Sequence, residues 1–180
     1  MFFLVANAVF DGGIAAWDSK RAYESVRPVT AVKYFKKGAV ISSWAGPFQG
    51  ARRISGDAWQ PYQSLTFVTP PFPEYVSGHS TFSAAAAEVL KRFQGSDHFP
   101  YSVRLAAGSS QFEPGLVPAN DVILTWSTFS EASDEAGLSR RYGGIHFVAA
   151  DLEGRKLGRL VCGVVWDKAT SYINGIAPKD

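Results

Sequence analysis

With 180 residues, 46% of them hydrophobic, the chain is long enough for one domain with a real core. A formal net charge of +2 is too small to organise the chain around nucleic acid or a membrane surface. The single cysteine, Cys162, excludes an intrachain disulfide, and no Cys/His spacing has the pattern of a zinc site.

In chain order, Phe2–Val26 has helical composition, with small residues at Ala6, Gly12, Gly13, Ala15 and Ala16 that let another helix pack closely. Its first residues, Met1–Phe10, are apolar, lack a positive flank and end at Asp11, so they read poorly as a signal peptide. No run is long enough to span a bilayer. The expectation is a soluble chain of unassigned compartment. Either a missing N-terminal region or a second subunit of a homo-oligomer covers the Met1–Phe10 face. Arg27-Pro28 stops the first helix, since the residue before proline avoids the α region. Val29–Phe35 adds another turn or two.

From Lys36 to Val76 the sequence is rich in Gly, Pro, Ser and aromatics without a sustained period. It reads as a long ordered loop with one short helix, packed down by Trp44, Phe48, Trp59 and Tyr62. Ser80–Gln94 is a helix with Gly95 as its stop. Ser102–Ser110 and Asp121–Trp126, separated by Glu113-Pro114-Gly115, read as a small β-hairpin. Phe129–Arg140 is helical, Tyr142-Gly143-Gly144 is a break, and His146–Tyr172 recurs with helical spacing. Cys162 falls in that last helix beside Val161 and Val164, as a buried structural thiol. The sum is a single mostly α-helical bundle, residues 1–180, with a long ordered loop and a minor β-hairpin.

Three polar constellations sit where this pattern breaks. Lys20 and Arg27 are about two helical turns apart, which puts both cations on one face. Ser77-Gly78-His79 opens the alanine-rich helix, whose first amides have no internal partner and form a seat for an anion. Ser139-Arg140 and His146 flank the Gly-Gly break. Each alone is ordinary: a solvated helix face, a capped helix start, a cation at a helix C-terminus. Together they hold two of the three histidines, three cations and no carboxylate in the motifs themselves. Such a pocket suits a tetrahedral, multiply charged oxyanion such as phosphate or vanadate, whereas magnesium or calcium would want carboxylates.

The constellation resembles the superfamily of type 2 phosphatidic-acid phosphatases, bacterial acid phosphatases and vanadium-dependent haloperoxidases. Its pattern of Lys-x6-Arg-Pro, Pro-Ser-Gly-His and Ser-Arg-x5-His-x3-Asp is met at Lys20, Arg27 and Pro28, at Ser77, Gly78 and His79, and at Ser139, Arg140 and His146. Val76 stands in place of the proline, and Asp151 comes late for the aspartate that orients the histidine. Trp17-Asp18-Ser19-Lys20 and Pro71-Phe72-Pro73-Glu74-Tyr75 are similar to the haloperoxidase branch, which places Trp17 and Phe72 beside the substrate pocket. These proteins are normally longer, and the helices that precede the first motif are absent here.

The resemblance implies a bundle of that superfamily's type with vanadate as cofactor. His146 would coordinate the vanadium. Lys20, Arg27, Arg140, Ser77 and the Gly78 amide would hold the oxygens. His79 and Lys20 would assist catalysis with hydrogen peroxide and halide. The same residues would serve an acid phosphatase acting on a phosphate monoester, with His146 as nucleophile and His79 as acid. A third reading is an inactive oxyanion-binding helical domain.

Overall fold

Helix ends fall where the sequence changes chemistry. In a computed structural model, which describes residues 1–176, the helices are α1 (Phe2–Tyr23), α2 (Pro28–Phe35), α3 (Gly78–Gln94), α4 (Phe129–Tyr142) and α5 (Val148–Ile173). Pro28 starts α2 with Arg27 extended before it, as a proline at the first helical position requires. Ser77 caps α3, its side chain accepting from the Ser80 amide, and Gly95 closes the helix in the left-handed region. Thr128 and Glu131 form a reciprocal capping box at the start of α4.

The helical reading holds with shifted ends. α1 stops at Tyr23 rather than Val26, through Glu24 at φ 43°. Lys20 and Arg27 therefore do not share one helical face. Arg27 lies beyond α1, as the residue before α2, and reaches the same pocket only because the chain turns between the two helices.

α3 is the central helix, packed on α1, α4 and α5. The core joins Leu4 and Ala8 of α1, Ala85 and Val89 of α3, and Cys162, Val165 and Ala169 of α5. Glycine sets the approach of α5 to α3: a Cβ on Gly158 would stand 2.2 Å from the Thr81 carbonyl oxygen, and one on Gly154 2.8 Å from that of Ser77. The start of α5 is thereby pressed onto the start of α3, where the Ser77 amide donates to the Ala150 carbonyl. Phe2, Phe3 and Phe10 of α1, and Leu160 and Val164 of α5, remain exposed. Among the described residues no helix is long and apolar enough to cross a membrane.

The expected hairpin forms as β3 (His98–Leu105) and β4 (Val122–Thr128), antiparallel and each displaced by a few residues from its sequence reading. The long loop contains the anticipated short helix, a 3-10 turn at Gly56–Ala58, and also a second hairpin that the sequence did not announce. Its strands, β1 (Val40–Trp44) and β2 (Ala51–Ser55), pair antiparallel but are largely solvent-facing, so no alternation marks them. Trp44, Trp59 and Tyr62 pack as expected: Trp44 and Tyr62 meet edge-on at 4.9 Å, and Trp59 donates to Ser43. Phe48 does not, being 61% exposed. Glu113 gathers this loop, accepting from the Trp44 indole, the Phe48 amide and the Tyr62 hydroxyl.

Candidate functional site

Lys20 ends a buried stripe on α1 formed by Leu4, Ala8, Gly12 and Ala16, one residue per turn. Small residues earlier in the stripe bring α1 close to α3, so the lysine arrives 2% exposed. Its ammonium donates to the carbonyls of Pro73 at 2.8 Å, Glu74 at 3.0 Å and Val76 at 2.5 Å. An ammonium has three hydrogens, and all three hold the approach to α3 in place. Burial, then Arg27, lowers its pKa to about 8, with Glu74 acting in the opposite direction. Lys20 thus brings charge to the site with no spare donor. Val76, standing where the family has proline, is buried and supplies one of the three acceptors.

Arg27 spans the pocket. Its Nε donates to the Phe72 carbonyl at 2.9 Å and its Nη1 to the Ile145 carbonyl at 2.9 Å. Nη1 also lies 3.1 Å from Nε2 of His146. Burial lowers its pKa to about 10; Glu74 opposes the shift and Arg140 adds to it. The Phe72 ring lies 5.1 Å from the Lys20 ammonium, 5.0 Å from the Arg27 guanidinium and 5.0 Å from the Trp17 ring. Trp17 and Phe72 therefore come together on the cationic wall. Phe82 of α3, which the sequence did not single out, stacks on Trp17 at 6.3 Å.

The second wall is the start of α3. Ser77 and Gly78 are buried there, and the first-turn amides have no partner inside the helix. A Cβ at Gly78 would touch Phe82 and Trp17. His79 is solvent-accessible at its outer face. Partial burial, then Arg140 and His146, lowers its pKa below the ordinary histidine value, which favours the neutral ring.

The third wall follows α4. The buried Nε of Arg140 has no hydrogen-bond partner among the described residues. Ser139 stands apart from the pocket: it is exposed and its hydroxyl donates to the Ala136 carbonyl within α4. Gly144, at φ 69°, turns the chain against Pro61, and Gln63 of the long loop donates to the Gly143 carbonyl. This turn delivers His146, which is 7% exposed.

The partner that orients His146 is Glu74. His146 Nδ1 lies 2.8 Å from Glu74 Oε1, within hydrogen-bonding distance, and the same oxygen accepts from the Phe147 amide at 2.8 Å. Burial lowers the His146 pKa; the Glu74 hydrogen bond works against this and Arg27 with it. The orienting role that the resemblance assigns to the late aspartate is not filled by Asp151. That carboxylate, 0% exposed, accepts from Ser80 Oγ at 2.8 Å and pairs with Arg155 at 2.7 Å and Arg141 at 3.6 Å. Sequence reasoning gave Glu74 no role. The available signal was its isolation, as the sole Asp, Glu, Lys or Arg between Asp57 and Glu88.

The donor set fits a tetrahedral oxyanion. Arg140 offers a buried, unpartnered N–H, the α3 start offers the Gly78 and His79 amides beside the capped Ser80 amide, Arg27 and Lys20 supply charge, and the one carboxylate in contact is turned to Nδ1 of His146.

Comparison with known proteins gives the family of the fold. A bacterial vanadium-dependent chloroperoxidase in its apo form superposes with a TM-score of 0.87 and 27% identity over 94% of this chain and 36% of that one. The holo form of a bacterial vanadium-dependent chloroperoxidase gives 0.82 and 28% over 89% of this chain and 33% of that one. A bacterial vanadium-dependent iodoperoxidase gives 0.61 and 33% over 91% of this chain and 32% of that one. The chain spans about a third of the length of these proteins. No curated protein matches it by sequence. The family model described as the VCPO second helical-bundle domain matches residues 1–175, and the chain belongs to that family.

Proposed function

We propose that the pocket is a vanadate-dependent haloperoxidase site, in which halide, hydrogen peroxide and a proton give hypohalous acid and water. The observation that supports this reading most directly is the state of His146. With Nδ1 donating to Glu74, the lone pair is on Nε2, on the side occupied by Arg27. His146 Nε2 would hold vanadate, while Arg27, Arg140, Ser77 and the Gly78 amide would bind its oxygens. Vanadate, when bound, supplies the electrophilic centre that activates hydrogen peroxide toward halide. Arg27 would exchange its contact with Nε2 for an oxygen of the oxyanion. His79, its neutral form favoured, would accept a proton from the incoming peroxide and return it to the product. Lys20 holds the Pro73–Val76 carbonyls and adds positive charge. Trp17, Phe72 and Phe82 form the apolar edge at which halide would approach.

A lone pair on Nε2 is also a nucleophile, so hydrolysis of a phosphate monoester through a phosphohistidine is the second reading. The test loads the protein with vanadate and follows peroxide-dependent bromination of a diketone dye, with a vanadate-free sample on an aryl phosphate. Bromination that disappears in His146→Ala supports the first reading. Phosphate release without bromination overturns it in favour of the second. Neither activity, together with no vanadate binding, leaves a helical domain without catalysis.

A further inference from the structure

We propose that Glu74 is a positioning residue: it fixes His146 in the Nδ1–H tautomer and so reserves the Nε2 lone pair for a tetrahedral oxyanion. The assignment of that lone pair to an oxyanion rests on the oxyanion reading given above; the tautomer assignment stands on hydrogen bonds alone.

Two independent contacts set the tautomer from opposite ends of the ring. A guanidinium has no acceptor, so Arg27 Nη1, 3.1 Å from Nε2, can only donate there. Nε2 must then carry the lone pair, and the hydrogen of a neutral ring must be on Nδ1. At that end stands Glu74 Oε1, 2.8 Å away. The same oxygen takes the Phe147 amide hydrogen at 2.8 Å, and an amide N–H can only donate, so Oε1 is an acceptor at this position.

The carboxylate is itself held. Glu74 is 3% exposed. Its amide donates to the Ser25 carbonyl and its own carbonyl accepts from Lys20, both at 3.0 Å. One residue therefore ties the end of α1 to the start of α5 and presents its side chain to His146 between them. Asp151 cannot substitute, because its oxygens are engaged by Ser80 and Arg155.

Two variants separate the acceptor from the charge. Glu74→Gln keeps an oxygen able to accept from both Nδ1 and the Phe147 amide; Glu74→Met keeps the length and removes the acceptor. Long-range proton–nitrogen correlation spectra of the 15N-labelled protein read the tautomer, with His146→Gln assigning the signals. The expected result is an Nδ1–H ring in the parent and in Glu74→Gln, and a shift toward Nε2–H in Glu74→Met, whose amide spectrum shows it folded. Orthovanadate affinity should fall about 10–100-fold in Glu74→Met and change by less than about threefold in Glu74→Gln. An Nε2–H ring in the parent, or an unaltered tautomer or vanadate affinity in Glu74→Met, overturns the proposal. If Glu74→Met does not fold, loss of the Nδ1–H signal in Glu74→Gln overturns it and retention supports it. Should the expected tautomers appear while the parent binds no vanadate, the positioning role stands and the haloperoxidase reading fails.

Discussion

Glu74 and Asp151 are buried carboxylates on either side of His146, and their surroundings differ in kind. Asp151 is saturated by Ser80 of α3 and Arg155 of α5, with Arg141 of α4 nearby, and has a structural position at the meeting point of three helices. Glu74 instead sits among an imidazole, a backbone amide and the charges of Lys20 and Arg27. A carboxylate near a motif histidine is thus not its partner by sequence position. The contacts decide, and they divide the region into a helix-joining network and an oxyanion pocket.

The division is broken most severely at Asp151. Asp151→Ala removes the buried one of the two carboxylates that Arg155 pairs with, leaving only the partly exposed Asp134, and leaves the Ser80 hydroxyl without its acceptor. The expected loss is about 3–5 kcal/mol of folding free energy, measured by urea unfolding. The His146 tautomer in the protein that remains folded should be unchanged. Altered tautomer without a stability loss would merge the two regions. Gly137→Ala tests the same network with a smaller change. Its new Cβ would lie 2.2 Å from Asp151 Oδ1 and 2.8 Å from Ser80 Oγ, an overpacking worth about 1–3 kcal/mol. An unchanged melting temperature would show that the network yields easily.

Arg140 should behave in the opposite way. Its buried Nε has no partner among the described residues, so Arg140→Ala removes an unsatisfied donor from the fold and a donor from the pocket. Expected are stability within about 0.5 kcal/mol of the parent and orthovanadate affinity lower by about 10–100-fold, as for a charged hydrogen bond. Calorimetry of both unfolding and binding distinguishes this from a structural arginine, whose loss would lower stability as well.

How far the sequence reveals this molecule follows from the range of each interaction. The helices and the β3–β4 hairpin were legible because caps, breaks and periodicity are local. The β1–β2 hairpin was not, since its solvent-facing strands bury too little to leave an alternating pattern. Among the pocket residues, Lys20, Arg27, Arg140 and His146 stood out because their spacing carries a family pattern. Their geometry did not: the two cations converge through a chain reversal at Glu24–Arg27, and Lys20 spends its donors on loop carbonyls. Glu74 was illegible because its partners lie 54 residues back at Lys20 and 72 residues ahead at His146, separations that no local pattern records.

The smallest expected effect is a titration confined to the pocket. Lys20 has a folded pKa of about 8 against an ordinary 10.5, lowered first by burial and then by Arg27. As pH rises through about 8 the pocket loses one positive charge, while Arg27, lowered only to about 10, keeps its own. Sulfate, whose charge is constant over this range, should bind less tightly above that pH by about 5–10-fold, the scale of one partly screened charge a few ångströms away. Stability should move the other way. Between about 8 and 10.5 the unfolded chain keeps a proton at Lys20 that the folded chain has released, so unfolding free energy rises with pH across that window from this group. The cost of the buried charge is present in full below about 8, is relieved progressively across the window, and is gone above about 10.5. Lys20→Met should flatten the affinity profile and remove its share of the stability slope, whereas Asp151→Asn should leave the affinity profile in place. Isothermal calorimetry with sulfate and urea unfolding, each from pH 6.5 to 9.5 or about that span, read the two trends. Affinity and stability falling together in the parent would show that Lys20 belongs to the helix-joining network after all, and that its charge serves the fold rather than the oxyanion.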